Sequence, residues 1–404
     1  MLLSRTARFV RSERNAAVLL LVGALAGLLI ANSSVGPGII GALSDHLAIP
    51  TLALDLSANH WVSDGLLAVF FFIVAVELKR ELVIGELNSA SRALLPAIAA
   101  LGGVIVPALI YLAIAGPAGL AQGWPIPTAT DIAFAIGVLA VFGRAIPNRV
   151  RVFLLALAVL DDLVAILLIA VFFTTNAQPA YIAVAALTTV TFGLLSSVLR
   201  PRSPWILNRR AQWPIVTALV VLAVLTWYLT YQSGVHPTIA GVALGLAASR
   251  RPGGRAAHIL EPFSSGIVLP LFALTAAMVP IPTISLGKLS PAFWAIVVAL
   301  PVGKIIGIGL AGVVSGRVAR RKDKPSLEFA DIAVIGALGG IGFTVSLLMN
   351  ALAFGSKPEI VDEGTLAVLA GSGVAIVLSA ALVTLRSRHY QQQKLQKATA
   401  PPTQ

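Results

Sequence analysis

The sequence predicts an all-α polytopic membrane protein of about twelve transmembrane helices, with a small external β-hairpin. Three observations lead there. Of 404 residues, 57% are hydrophobic and only 11% are charged, whereas soluble domains carry about 25% charged residues. The apolar residues form runs long enough to cross a hydrocarbon core, which takes about 20 residues of helix. The basic residues collect in alternate connections between those runs. A chain this apolar cannot cover its surface with polar groups, so its solvent is lipid.

Taken in order, the apolar runs place spans near 15–32, 60–78, 93–115, 123–143, 150–174, 178–199, 213–232, 235–249, 258–279, 290–314, 328–352 and 364–385. The first follows Arg5, Arg8, Arg11 and Arg14 and is longer than the apolar core of a signal peptide, so it reads as a retained helix. The eighth is short, which suits a tilted or half-buried helix. Between the first two spans, Ile49 to Asp55 alternates weakly around Pro50, the pattern of a short hairpin. By this count 26 of the 29 Lys and Arg residues fall on one side of the membrane. Lys288 and Lys357 fall on the other, and Lys304 lies within a span. That alternation orients both termini to the cytoplasm. Residues 1–388 then form a single transmembrane transporter domain. Residues 389–404, rich in Gln and ending near Pro401-Pro402, read as a disordered cytoplasmic tail.

The net charge of +12 does not indicate nucleic acid, because the basic residues are scattered among short connections and not gathered on one stripe. With no cysteine in the chain, disulfides and thiolate metal sites are excluded. No Ser-His-Asp set, phosphate-binding glycine loop or zinc-ligand spacing occurs, so neither an enzyme nor a cofactor is expected.

Ionisable groups inside spans are costly and mark function. Asp161 and Asp162 sit side by side near the middle of the fifth span, at the bilayer midplane. Neighbours on a helix point about 100° apart, so the two acids can face different partners. Carboxylates this close repel when both are ionised, so protons and a cation can compete for them. Lys304, deep in the tenth span, needs a counter-charge and is the natural partner for one of them. Asp131 follows Trp124-Pro-Ile-Pro-Thr-Ala-Thr130 in the fourth span, and the eleventh carries Gly339-Gly340-Ile341-Gly342. Pro-rich and Gly-rich interruptions suggest broken helices whose half-helix ends point into the membrane. Asp131 would offset the positive N-terminal ends and a cationic residue the C-terminal ends. The two interruptions lie at corresponding places in segments about 93–174 and 290–385, as inverted repeats require.

Five motifs, in this order along nearly the whole chain to about Arg388, carry a resemblance. They are Phe70-Phe-Phe-Ile-Val-Ala-Val-Glu77-Leu-Lys79-Arg80-Glu81-Leu82, Pro127-Thr-Ala-Thr130-Asp131-Ile-Ala-Phe-Ala135, Leu157-Ala-Val-Leu-Asp161-Asp162-Leu-Val-Ala-Ile166, Gly303-Lys304 and Gly340-Ile-Gly-Phe-Thr-Val-Ser346. Together they resemble the NhaA-type sodium/proton antiporters of bacterial inner membranes. The resemblance implies two inverted three-helix repeats with two broken, crossing helices. It implies electrogenic, pH-regulated exchange of Na⁺ or Li⁺ for H⁺, two protons per Na⁺, in a homodimer embedded in the inner membrane. It places the cation and protons at Asp162 with Asp161 beside it, and makes Lys304 the partner of Asp161 or a proton carrier. Thr130, Asp131, Gly340 and Gly342 belong to the crossing. Glu77, Arg80, Glu81, His258 and His236 match residues of its pH response. The sequence departs from the family pattern at Ala257 and Glu261, in what reads as the loop around His258, and this bears on the pH set-point.

Three other classes are weighed against this reading. An intramembrane aspartyl protease would carry Gly-x-Gly before an acid, but Ala158-Val159-Leu160 precedes Asp161. A channel needs repeated polar rings along a water-filled path, and the spans hold isolated acids instead. A sodium-coupled symporter of the same crossed-helix architecture is the alternative.

Overall fold

The computed structural model describes residues 12–85, 87–174, 176–207, 209–282, 286–318 and 328–399. Among the described residues, ten helices are long and apolar enough to cross a membrane. A bent pair makes an eleventh, and Thr238–Ala247 is a shorter apolar helix. The bent pair corresponds to the eleventh span read from the sequence, and Thr238–Ala247 to the short eighth. The chain is a multi-pass membrane protein. Arg5, Arg8 and Arg11, the cluster Arg320, Arg321, Lys322 and Lys324, and 400–404 of the expected tail lie outside the described residues.

In chain order the elements are α1 (Glu13–Ala31), α2 (Gly36–Ser44), β1 (His46–Ile49), β2 (Leu54–Ser57), α3 (Ala58–Val83), α4 (Ala90–Ala115), α5 (Ile132–Phe142), α6 (Asn148–Phe172), α7 (Pro179–Ser197), α8 (Trp213–Gln232), α9 (Thr238–Ala247), α10 (Arg250–Ala276), α11 (Pro291–Val298), α12 (Lys304–Val318), α13 (Phe329–Gly339), α14 (Phe343–Phe354) and α15 (Pro358–Thr399). The chain partitions into two compact units. Among the described residues, the first comprises Leu19–Asn88 and Asp162–Pro280. The second comprises Ser12–Val18, Ser89–Asp161 and Ile281–Gln404.

In the first unit small residues let helices approach closely. A Cβ on Gly27 would lie 2.1 Å from the Leu274 carbonyl oxygen, and one on Gly241 2.0 Å from that of Ala68. Backbone contact of this kind is how membrane helices associate when lipid removes the hydrophobic drive between them. The outer faces stay apolar: Val184, Leu187, Val190 and Leu194 on α7, and Val220, Val221 and Val224 on α8, are exposed. In lipid that exposure costs nothing, which is why a soluble-protein burial pattern is missing. The hairpin pairs antiparallel, His46 opposite Ser57 and Ile49 opposite Leu54. Its turn is a 3₁₀ stretch, Pro50–Leu52, closed by Ala53 in the left-handed region (φ 48°). The Tyr228 hydroxyl donates to the Leu52 carbonyl at 3.0 Å and ties the tip to α8.

Three boundaries differ from the sequence reading. α3 continues through Val83, so Lys79 and Arg80 are helical and not in a loop. The Lys79 ammonium caps the C-terminal end of α9, donating to the carbonyls of Leu246 and Ala248 at 2.7 Å each, a favourable use of a cation at a helix C-terminus. α10 begins at Arg250, so Arg255, His258 and Glu261 stand on a strongly amphipathic helix and not in a loop. Its polar first half hides it from a hydropathy reading. In the second unit α15 runs on to Thr399, through 389–399 of the expected disordered tail. Tyr390 is buried and bonded to Asp331, an anchor that composition does not reveal.

Candidate functional site

The centre of the second unit is built from two interrupted spans. Pro125 and Pro127 cannot continue an α-helix through their ring nitrogens, so the fourth span opens as 3₁₀ turns, Ala121–Gly123 and Ile126–Thr128. Ala129 and Asp131 are extended before α5 begins. In the eleventh span α13 stops at Gly339, and α14 resumes at Phe343 with its axis bent by 49°. Gly340 and Gly342 have ordinary negative φ, −72° and −92°. They are needed for space. A Cβ on Gly342 would lie 2.2 Å from the Ser346 hydroxyl and 3.2 Å from the Ala129 carbonyl oxygen.

The two non-helical stretches meet. The Asp131 N–H donates to the Ile341 carbonyl at 2.6 Å, and the Ser346 hydroxyl to that of Ile126 at 2.7 Å. Both α5 and α14 start here, and each start exposes unpaired N–H groups and a partial positive charge. One buried carboxylate serves both. Asp131 Oδ1 accepts the Phe134 N–H at 3.2 Å. Its Oδ2 accepts the Thr344 N–H at 3.2 Å and the Thr344 hydroxyl at 2.6 Å. Asp131 thus accepts from the first turns of both α5 and α14. The C-terminal carbonyl of α13, Gly339, is met by the Thr130 hydroxyl at 2.8 Å, where the sequence reading placed a cation.

Thr130 links this crossing to the acids of α6. Its one hydroxyl also lies 2.8 Å from Asp161 Oδ2, so a single proton is shared between two acceptors. Lys304 Nζ donates to the same Asp161 oxygen at 2.7 Å, and both side chains are 0% exposed. Lys304 is delivered there by a π-helical segment, Ala299–Gly303, between α11 and α12. Such a segment adds a residue to one turn and re-aims the side chains beyond it. Close packing sets the depth: a Cβ on Gly307 would lie 2.1 Å from the Gly102 carbonyl oxygen, and one on Gly336 2.9 Å from Ile305 Cα. Asp161 Oδ1, the other oxygen, is buried without a hydrogen-bond partner in the protein. Asp162, next along the helix, is buried too. Among the described residues no three acidic or histidine side chains converge as they would around a resident metal.

In the first unit, Glu77, Lys79, Arg80, Arg255, His258 and Glu261 line a cavity of about 950 Å³. This brings together three of the residues assigned to the pH response. Glu81 lies one turn further along α3, with its carboxylate over Gly85. The helical start of α10 puts His258 Nδ1 3.5 Å from Glu261 Oε2, a pair that a loop would not impose. Ala257 is buried against Ile73 and Val76. His236 belongs to a separate group: Nε2 is 3.5 Å from Asp64 Oδ1 and Nδ1 is 2.7 Å from the Thr238 hydroxyl. The Ser63 hydroxyl donates to the same Asp64 oxygen at 2.7 Å.

Sequence reasoning missed Thr344 as the second ligand of Asp131, and the partner of Asp331. Asp331 is fully buried against Arg386, which a topology count treats as an ordinary connection charge. An acid near one span end facing a basic residue at the end of another was the available signal.

Against this geometry, comparison with known proteins is direct. The sequence pattern of the family described as Na⁺/H⁺ antiporter 1 matches residues 7–383. The chain is 57% identical over 380 residues to "Na(+)/H(+) antiporter NhaA 2" of Clavibacter michiganensis subsp. michiganensis, covering 94% of this chain and 92% of that one. It is 44% identical over 385 residues to "Na(+)/H(+) antiporter NhaA" of Tropheryma whipplei, covering 95% and 96%. With "Na(+)/H(+) antiporter NhaA" of Mycolicibacterium smegmatis it shares 42% identity over 397 residues, covering 96% and 89%. The symporter alternative finds no support among these relatives. Membrane spans, interrupted helices, buried acids and full-length similarity agree, and the chain belongs to the Na⁺/H⁺ antiporter 1 family.

Proposed function

We propose that this protein is a secondary transporter that exchanges Na⁺, or Li⁺, for protons across the bacterial inner membrane, with both termini in the cytoplasm. Protons and the cation compete for the pair Asp161 and Asp162. The observation that carries the reading is the state of Asp161. One oxygen is held by Lys304 and Thr130, while the other is buried with no protein partner. A buried carboxylate oxygen is costly to leave unpaired. It suits a site that is completed by a proton or by a hard cation seeking oxygen ligands.

Asp162 is the principal cation ligand in this reading. Backbone carbonyls at the broken spans, hydroxyls and water complete the shell. Asp161 holds Lys304 in place when the cation is absent. When the cation binds, its charge weakens the hold of Asp161 on the ammonium, and Lys304 is then able to release a proton. Moving more protons than cations makes exchange electrogenic, with each net charge worth about 2.3 kcal/mol per 100 mV. Segments about 93–174 and 290–385 act as inverted repeats whose interrupted helices alternate access to the midplane site. Glu77, Arg80, Glu81, His258 and His236 set the pH response. The protein works as a homodimer.

The test is transport in reconstituted vesicles carrying an internal pH dye, with each alkali cation added in turn and the membrane potential clamped or free. Na⁺ and Li⁺ should drive proton flux that accelerates with a favourable potential. Asp162→Asn should abolish the flux while its thermal unfolding remains cooperative. Near-normal exchange by Asp162→Asn removes the carboxylate site from the mechanism.

A further inference from the structure

Half-helix α13 has eleven residues, or about 16 Å, about half of what a bilayer crossing needs. At one end the Gly339 carbonyl takes the Thr130 hydroxyl that also reaches Asp161. The other end is held by an ionic network centred on buried Asp331, which the transport site does not use. Glu328 and Asp331 form a reciprocal capping box at the helix start. The Asp331 carboxylate, 0% exposed, accepts Arg386 Nε at 2.8 Å and lies 2.9 Å and 3.0 Å from the Tyr390 hydroxyl. Arg386 also donates to Glu328, and its guanidinium sits over the Tyr390 ring, 4.5 Å from the centroid. Arg149, near the start of α6, reaches the Tyr390 hydroxyl at 3.1 Å and Asp331 Oδ2 at 3.7 Å.

Two helices are thereby tied at two levels. α6 carries Arg149 and, twelve residues on, Asp161. α13 carries Asp331 and, eight residues on, Gly339. The ionic network fixes one pair of ends, and the shared Thr130 hydroxyl fixes the other. A shift of α13 along its axis by even about 1 Å would pull Gly339 from hydrogen-bond range of Thr130 and leave that hydroxyl to Asp161 alone.

We infer that Asp331 and Arg386, with Tyr390 between them, are positioning residues for cation binding: they set the depth of α13 and through it the hydroxyl on Asp161. The inference rests on the acid-pair reading of the site. Its test uses full-length protein in vesicles, measuring the Na⁺ KM and the maximal rate at fixed pH, with the unfolding midpoint beside them. Asp331→Asn and Arg386→Gln should each raise the Na⁺ KM by about threefold or more. Because both break one network, the double variant should be little worse than either single one. Arg386→Lys, which keeps the charge, should recover part of the KM. Tyr390→Phe removes only the hydroxyl and should raise the KM in the same direction; it carries the test if the charge variants fail to fold. Variants that unfold more easily yet keep the parent's KM and rate reduce the network to a structural brace and overturn the inference. Normal exchange by Asp162→Asn overturns the acid-pair reading instead. Loss of exchange there, with an unaltered KM in Tyr390→Phe and Asp331→Asn, sinks this inference alone.

Discussion

Lys304 and Asp161 form an ion pair with no exposure at all, and the two charges tolerate that burial only together. Lys304→Ala leaves an acid with an empty partner position, a change that costs about 3–5 kcal/mol in buried pairs. Its thermal unfolding midpoint should fall and exchange should be lost; an unchanged midpoint would show that the pair carries no weight. Thr344→Val removes the shortest hydrogen bond to Asp131 while keeping shape, and should cost about 1–3 kcal/mol, read as a lowered midpoint. The acids and the lysine are legible in the sequence because a charge within an apolar span needs a reason. The threonines are not. A membrane threonine ordinarily satisfies itself on the carbonyl four residues back, as Thr226 and Thr384 do here, so nothing in the letters separates Thr130 and Thr344 from them.

Among the elements, the interrupted helices depend on close approach. Gly336 has no room for a Cβ because Ile305 Cα would stand 2.9 Å away, whereas a Cβ on Gly309, on α12 itself, would meet nothing within 4 Å. Gly336→Ala should therefore force α13 from α12, costing about 1–3 kcal/mol by overpacking and slowing exchange. Gly309→Ala should leave both the unfolding midpoint and the rate near the parent's values. Equal damage from the two would mean that α13 is not held by this contact. Proline and glycine made the breaks at 125–131 and 339–342 readable. What escaped was any element whose evidence is not hydropathy. The amphipathic start of α10 pairs His258 with Glu261, and the end of α15 is held by Tyr390 rather than by apolar content.

For the whole molecule, ten helices and one bent pair among the described residues are long and apolar enough to cross a membrane. Span number and the run of basic clusters were available from composition and order alone, because lipid imposes both. The gathering of Glu77, Arg80 and His258 around one cavity was not, since it needs α3 and α10 side by side. Glu261→Gln removes the partner of His258, and the pH at which exchange is half-maximal should move while the maximal rate stays. An unmoved midpoint would take that pair out of the pH response. Competition between protons and cation for one acid pair can be followed by adding Na⁺ to purified protein in weakly buffered solution while recording proton release and Na⁺ affinity across pH. Na⁺ binding should expel protons, and the affinity should weaken by up to about a hundredfold per pH unit on the acid side, where two protons leave for each Na⁺ bound. Na⁺ binding with no proton release and with an affinity indifferent to pH would rule that competition out.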